Sequence, residues 1–222
     1  MIELVAFLGN PGKKYSRNRH NAGFLLAEKL PFYKNLFWQK KFKGLYTAVE
    51  RSSIAGFLSE SLAPGSGEPT VTLPEKLHFI KPETYMNLSG EAVHAAASFF
   101  KIKSDCILVI HDELELPLGT ISLKFSGGLG GHNGLRSMRS CFGAADFWRL
   151  RIGIGRPDSR LPGEGGPPGS GEGIVDWVLS NFDAAEAETL NIVLESAAEL
   201  FLNALSCDPE GLLKEWGKKR II

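Results

Sequence analysis

The sequence predicts an α/β fold: a single domain over residues 1–222, with three layers (α/β/α) in which a mixed twisted sheet carries helices on both faces. Three observations predict it. Uninterrupted apolar runs, clearest at residues 106–110, lack the polar alternation of a half-solvated strand and suit strands buried on both faces. Segments with apolar residues at helical spacing alternate with those runs along the chain. Clusters of glycine, proline and asparagine mark the boundaries between them.

Residues 2–8 read as a buried strand that stops at Gly9, Asn10, Pro11 and Gly12, where glycine and proline forbid either strand or helix to continue. Ala22, Phe24, Leu25, Leu26 and Leu30 predict a helix over 21–30, ending before Pro31, with His20 at its N-terminal edge. Residues 45–50 and 54–58 read as a strand pair, and 59–69 as a polar, flexible insertion bearing glycine and proline. A short strand over 77–80 ends at Lys81 and Pro82; the apolar spacing of 91–100 predicts a helix. The 106–110 strand delivers His111 and Asp112 to its C-terminal end. A strand over 120–125, a glycine-rich loop, a helix over 133–141 and a strand over 147–154 follow. Residues 157–173 are so rich in glycine and proline that they read as a second flexible insertion, after which 174–179 read as a strand. Asp183 with Glu186 is an aspartate form of the capping signal and opens a helix to about residue 205, with a short helix over 209–216 beyond it.

Hydrophobic residues at 43% and charged residues at 23% are ordinary for a globular protein, so composition selects no activity. No basic-then-apolar leader opens the chain, and no apolar run approaches the ~18 residues that cross a bilayer, so neither secretion nor membrane insertion is expected. Cys106, Cys141 and Cys207 show no paired spacing and lie in or beside apolar segments, which fits a reduced, cytoplasmic protein. The zero net charge is a sum of opposites. Residues 1–51 hold ten Lys/Arg against three Asp/Glu, whereas 161–213 hold ten Asp/Glu and no Lys or Arg. Lys124, Arg136, Arg139, Arg149, Arg151 and Arg156 form a second basic set. Such polarity steers a phosphate-rich ligand without a high isoelectric point.

In open α/β sheets ligands sit beyond the C-terminal ends of strands, and the polar residues collect there. The first strand leads to Asn10 and His20, the 77–80 strand to Tyr85, Met86 and Asn87, the central strand to Asp112, and Lys124 to Asn133. One imidazole, one carboxylate and several carboxamides, with no serine elbow and no cysteine cluster, suggest hydrolysis by an activated water molecule. The amides would hold the substrate and its developing charge. The glycine run at 127–134 suits an anion or a plain turn equally; from Gly128 it gives G-x-G-x-x-Asn, which is no dinucleotide fingerprint. A metal-dependent hydrolase using His20, His111, Asp112 and His132 is the rival. No H-x-x-x-H or paired cysteine spacing supports it, and neighbouring His111 and Asp112 face opposite sides of a strand, so neither a metal nor another cofactor is expected.

Five ordered segments carry a resemblance: GNPGKKYSRNRHNAGF at 9–24, KPETYMNLSGEAV at 81–93, VIHDELELPLG at 109–119, GGLGGHNGLRS at 127–137 and FWRLRIGIGRP at 147–157. The chain closely resembles bacterial-type peptidyl-tRNA hydrolases over these, and again more weakly at 175–182. It departs from them at 59–69, in the longer insertion after Pro157, and at Ser126, where the family often has another glycine. The resemblance implies hydrolysis of the ester between a peptide and the 3′-terminal ribose of tRNA, freeing both for reuse, with neither metal nor covalent intermediate. It implies that His20 is the base and that Asp112 orients it. Asn10 would distinguish peptidyl from free aminoacyl groups, and either Asn87 or Asn133 would supply an N–H to the oxyanion. Tyr15, Tyr85 and Met86 would line the acceptor-end and peptide site, Lys124 and Arg151 would contact phosphates, and His132 would be supporting. The implied partner is tRNA, and a monomer is the default. A non-catalytic tRNA-binding module is the second rival, and retention of both His20 and Asp112 argues against it.

Overall fold

A computed structural model describes residues 1–61, 74–157 and 171–222. Among them the chain runs β1 (Leu4–Phe7), α1 (Ala22–Lys29), β2 (Gln39–Lys41), β3 (Gly44–Glu50), α2 (Arg51–Ser61), β4 (Lys76–Pro82), α3 (Ser89–Phe100), β5 (Ile107–Glu113), β6 (Thr120–Phe125), α4 (Asn133–Phe142), β7 (Trp148–Gly153), α5 (Gly171–Leu179), α6 (Ala184–Ser206), α7 (Pro209–Trp216) and β8 (Lys219–Arg220). The strands form one mixed sheet in the order β2-β3-β4-β1-β5-β7-β6-β8. Its centre, β4-β1-β5-β7, is parallel, and both flanks are antiparallel.

The unbroken apolar character of β5 has its cause in two packed faces. Leu108 and Ile110 join the core cluster of Leu26, Leu194 and Phe201 from α1 and α6; Ile107 and Val109 join that of Ala92, Val93, Leu135 and Met138 from α3 and α4. Gly23 lets α1 come close enough to set the site. A Cβ there would meet the carbonyl oxygens of Leu8 at 2.5 Å and Ile110 at 2.6 Å, so the start of α1 lies directly on the ends of β1 and β5. The capping box of α6 forms as expected, Asp183 accepting from the Glu186 N–H and Glu186 from the Asp183 N–H.

Several expectations are corrected. Residues 54–58 are not a strand but the middle of α2, with Ile54 and Leu58, four apart, buried on one helical face; β3 pairs instead with β2 and β4. Residues 174–179 belong to α5 rather than a strand. Asp112 lies within β5, because pairing with β7 continues through Glu113 and Gly153. Strands β2 and β8 were not expected. Of the two insertions, 59–61 complete α2 and 171–173 begin α5, whereas 62–69 and 158–170 lie outside the described residues. Among the described residues no helix is long and apolar enough to cross a membrane.

Candidate active site

Near the end of β5, Asp112 is almost wholly buried, and two histidines from different elements point at it. His20, in the 3-10 turn that the start of α1 presses against the sheet, places Nδ1 2.9 Å and 3.0 Å from the two carboxylate oxygens. His132, the N-cap of α4, places Nε2 3.0 Å from Oδ1. The His132 tautomer follows from its other nitrogen. Nδ1 accepts the backbone N–H groups of Gly134 at 3.1 Å and Leu135 at 3.4 Å, so it carries no proton and Nε2–H donates to Asp112. His20 correspondingly donates Nδ1–H to the carboxylate, which leaves its Nε2 lone pair as the basic site.

Burial pushes the Asp112 carboxyl up, but the electrostatic attraction and hydrogen bonds of His20 and His132 outweigh it and hold the group well below the usual carboxylate range. For His20, burial lowers the imidazole, and the charge and hydrogen bond of Asp112 more than reverse this, so it lies above its ordinary value. The liganding atoms of His20, Asp112 and His132 all lie within 4.8 Å of one another. A cation on His132 Nε2 would have to displace the proton that its tautomer requires, so this donor set fits hydrogen bonding better than metal ligation.

Asn10, just past β1, is buried beside the pair. Its Oδ1 accepts the Met86 backbone N–H at 2.8 Å, and that donor fixes which end of the amide is oxygen. The Nδ2 group has no acceptor among the described residues. Asn21 clamps the same segment through two bonds, its Oδ1 taking the Asn10 N–H at 2.8 Å and its Nδ2 donating to the Asn10 carbonyl at 3.0 Å. Met86 is buried against Gly134, where a Cβ would meet its Sδ at 2.7 Å and Leu8 Cδ1 at 2.9 Å, so a side chain here would push both aside.

The structure brings together His20, Asp112, Asn10 and Met86. Tyr15 and Tyr85 lie edge to face, 6.5 Å between centroids, with Tyr85 exposed. Asn87 and Asn133 are exposed in the turn before α3 and at the start of α4. Asn133 Oδ1 accepts from Arg136 at 3.3 Å. Lys124 on β6 is half-buried, with no ion pair among the described residues. Arg151 is more committed: its guanidinium donates to Ser122 Oγ at 2.6 Å and lies 3.5 Å from Glu113.

Sequence reasoning missed Asn18 and Arg19, besides Asn21's role in the clamp, and gave His111 and Arg149 other parts, the first in a rival metal set and the second in a basic set. Arg19 is buried, stacked 3.8 Å from the Trp177 ring, ion-paired to Glu186 at 2.5 Å and bonded to Ser180 Oγ at 2.6 Å; Asn18 donates to the Leu179 carbonyl. The corner between α5 and α6 thus holds the residues immediately before His20. Arg149 donates to the carbonyls of Gly128 at 2.6 Å and Gly127 at 2.8 Å, bracing the glycine loop. His111 donates Nδ1–H to the Asp112 carbonyl at 2.6 Å; burial, then the unfavourable electrostatics with His132 were both to be protonated, keep it well below its ordinary value. The available signal was the run of polar residues 18–21 at the head of an apolar helix.

A histidine held by a buried carboxylate, at the C-terminal ends of parallel strands in a mixed α/β sheet, defines a class: a hydrolytic enzyme of α/β fold. More specifically, the model of the peptidyl-tRNA hydrolase family matches residues 4–220, and the chain belongs to that family. A peptidyl-tRNA hydrolase of Treponema pallidum (strain Nichols) is 40% identical over 224 residues, spanning 100% of this chain and 97% of the relative. One of Rhodospirillum centenum (strain ATCC 51521 / SW) is 42% identical over 196 residues, 88% of this chain and 72% of its own. Among solved structures, peptidyl-tRNA hydrolase from Acinetobacter baumannii superposes with a TM-score of 0.70 at 30% identity, covering 97% of this chain and 92% of that one. A peptidyl-tRNA hydrolase complexed with N-propanol does so at 0.72 and 30% identity, with the same coverage.

Proposed function

We propose that this chain hydrolyses the ester joining a peptide's C-terminal carbonyl to the 3′-terminal ribose of tRNA, releasing both for reuse in translation. The observation that carries the mechanism is the double contact of His20 Nδ1 with buried Asp112, which leaves Nε2 as a base of raised affinity for protons. Water bound at Nε2 gives up a proton as its oxygen attacks the carbonyl. The tetrahedral intermediate collapses with departure of the ribose oxygen, which regains the proton from the imidazolium. No covalent enzyme intermediate is needed, since an ester asks less leaving-group assistance than an amide, and Asp112 supports the imidazolium as the acid of a triad does.

The carboxamides divide the remaining work. Asn10 presents Nδ2–H donors because its oxygen is occupied by Met86. A donor pairs with the acyl oxygen of a peptidyl group and has nothing to accept it in the free ammonium of an aminoacyl group, which spares charged tRNA. Asn133, its oxygen turned to Arg136, is the better placed of the two exposed amides to offer an N–H to the oxyanion, with Asn87 positioning substrate. Tyr15 and Tyr85 stack on the terminal base or sugar, and Lys124 meets phosphate; Arg151 joins it by sharing its guanidinium with Glu113. The catalytic pair, Asn10 and His132 sit around one sheet, which suits a single-domain working unit, and a monomer goes with this reading as the default. Three free cysteines suit a reducing cytoplasm.

Single-turnover release of the acyl group from an N-acetyl-aminoacyl-tRNA tests the reading. Wild-type protein should cleave it fully in the presence of a chelator. His20→Ala should lower the rate by about 10²–10⁴ while tRNA binding survives, and near-normal turnover would remove His20 as the base.

A further inference from the structure

The geometry points to a second ligand subsite, and it rests on the ester-hydrolysis reading above. We propose that the substrate's peptide runs from Asn10 into a lysine-bearing groove beside the β2–β3 hairpin, where acidic peptide side chains are preferred. An open groove of about 430 Å³ is lined by Lys40, Lys41, Lys43, Gly44, Glu83 and Thr84. The backbone ties it to the candidate site: Asn10 holds Met86 at 2.8 Å, Met86 follows Thr84 by two residues, and the Glu83 N–H donates to the Lys43 carbonyl at 3.0 Å.

The position in the sheet assigns the groove to the peptide rather than to the tRNA. Lys124 stands on β6, and the strand order puts Asn10 and the segment after β4 between it and the β2–β3 edge. A substrate whose phosphates lie toward Lys124 and whose ester lies at His20 therefore directs its peptide toward the hairpin. Met86 and Thr84 are two positions apart, at most about 7 Å, so the groove begins about two extended peptide residues beyond Met86, and in this reading the third and fourth residues from the ester are those that reach it.

The charges in the groove favour acid. Lys43 is engaged by Glu91 at 2.7 Å. Lys41 has its ammonium 4.4 Å from the Phe99 ring centroid and 4.7 Å from that of Phe42, contacts that leave it cationic, and Lys40 has no ion pair among the described residues. Against these two stands the single exposed carboxylate of Glu83. Thr84 Oγ1 is buried there without a hydrogen-bond partner among the described residues, a group that a backbone amide drawn into the groove can satisfy.

The test compares peptidyl-tRNAs carrying Asp or Asn at the third and fourth residues from the ester, beside N-acetyl-aminoacyl-tRNA, which is too short to reach the groove. The wild type should show kcat/KM about three- to tenfold higher for the Asp substrates, falling toward equality at high salt and in a Lys40→Gln, Lys41→Gln double variant. Equal rates for Asp and Asn in the wild type, or a preference that survives the double substitution, would overturn the subsite. So would a variant that binds deacylated tRNA more weakly and cleaves both peptides equally slowly, since the lysines would then be an RNA contact. If the wild type fails on the short substrate, the ester-hydrolysis reading itself falls, and this one with it.

Discussion

His20 and His132 share one oxygen: Oδ1 of Asp112 lies 2.9 Å from His20 Nδ1 and 3.0 Å from His132 Nε2, with the two rings 4.9 Å apart. The carboxylate is therefore gripped from both sides, through opposite ring nitrogens, and one histidine keeps a free lone pair while the other has none.

That arrangement fixes the sign of a pH effect. Burial pulls the His20 imidazole down and Asp112 pulls it up further, so it titrates above its ordinary value of about 6.5. A general base works deprotonated, so kcat/KM should rise with pH along a limb centred above that value. Asp112→Asn removes the charge, burial then prevails, and the midpoint should drop below that of the wild type, with turnover reduced less than by His20→Ala. Identical pH profiles for the two proteins would uncouple Asp112 from the base.

Asn10 is open to a ratio measurement. Asn10→Ala should narrow the gap between cleavage of peptidyl-tRNA and of free aminoacyl-tRNA. It also leaves the buried Met86 N–H without its acceptor, costing about 1–3 kcal/mol, so thermal unfolding should be followed in parallel. An unchanged ratio would assign discrimination elsewhere.

Lys124 and Arg151 should separate under salt titration. Lys124→Ala should weaken tRNA binding and flatten the dependence of log K on log salt by up to about 0.9 for one lost phosphate contact. Arg151→Ala should do the same less cleanly, because it also strips Ser122 and Glu113 of their partner and lowers stability. A slope unaltered by Lys124→Ala would end its phosphate role.

Arg19 touches nothing that reacts, yet it should matter. Arg19→Ala breaks its ion pair with partly exposed Glu186 and its stacking on Trp177, and should cost about 2–3 kcal/mol of stability. If Arg19 positions His20, kcat should also fall more than KM rises at temperatures where the variant is fully folded. Arg19→Lys, lacking the planar fork, should restore only part of either. A variant with wild-type kcat would make Arg19 purely structural.

How much of this the sequence carries depends on what each residue needs to be understood. Strand β5 was legible because burial on both faces demands an unbroken apolar run, and α6 because Asp183 and Glu186 satisfy each other locally. Residues 54–58 and 174–179 were misread because five or six apolar-rich positions suit a strand or one helical face equally, and only neighbours decide. β2 is three exposed polar residues, Gln39–Lys41, and exists through its hairpin with β3. His20, Asp112 and Asn10 could be nominated by their places at strand ends. The grip of Asn21 on Asn10, of His132 on Asp112 and of Glu113 on Arg151 depends on side-chain directions that no spacing reveals.

Glu186 binds two things at once, the backbone N–H that starts α6 and the guanidinium of Arg19. Fraying of that first helical turn and loosening of the turn bearing His20 are thereby coupled, so the hold on His20 depends on a helix some 160 residues away in sequence. Amide hydrogen exchange at Glu186, whose N–H donates to Asp183, and at Arg19, whose N–H donates to the Ser180 carbonyl at 3.0 Å, should accordingly report closely similar opening free energies.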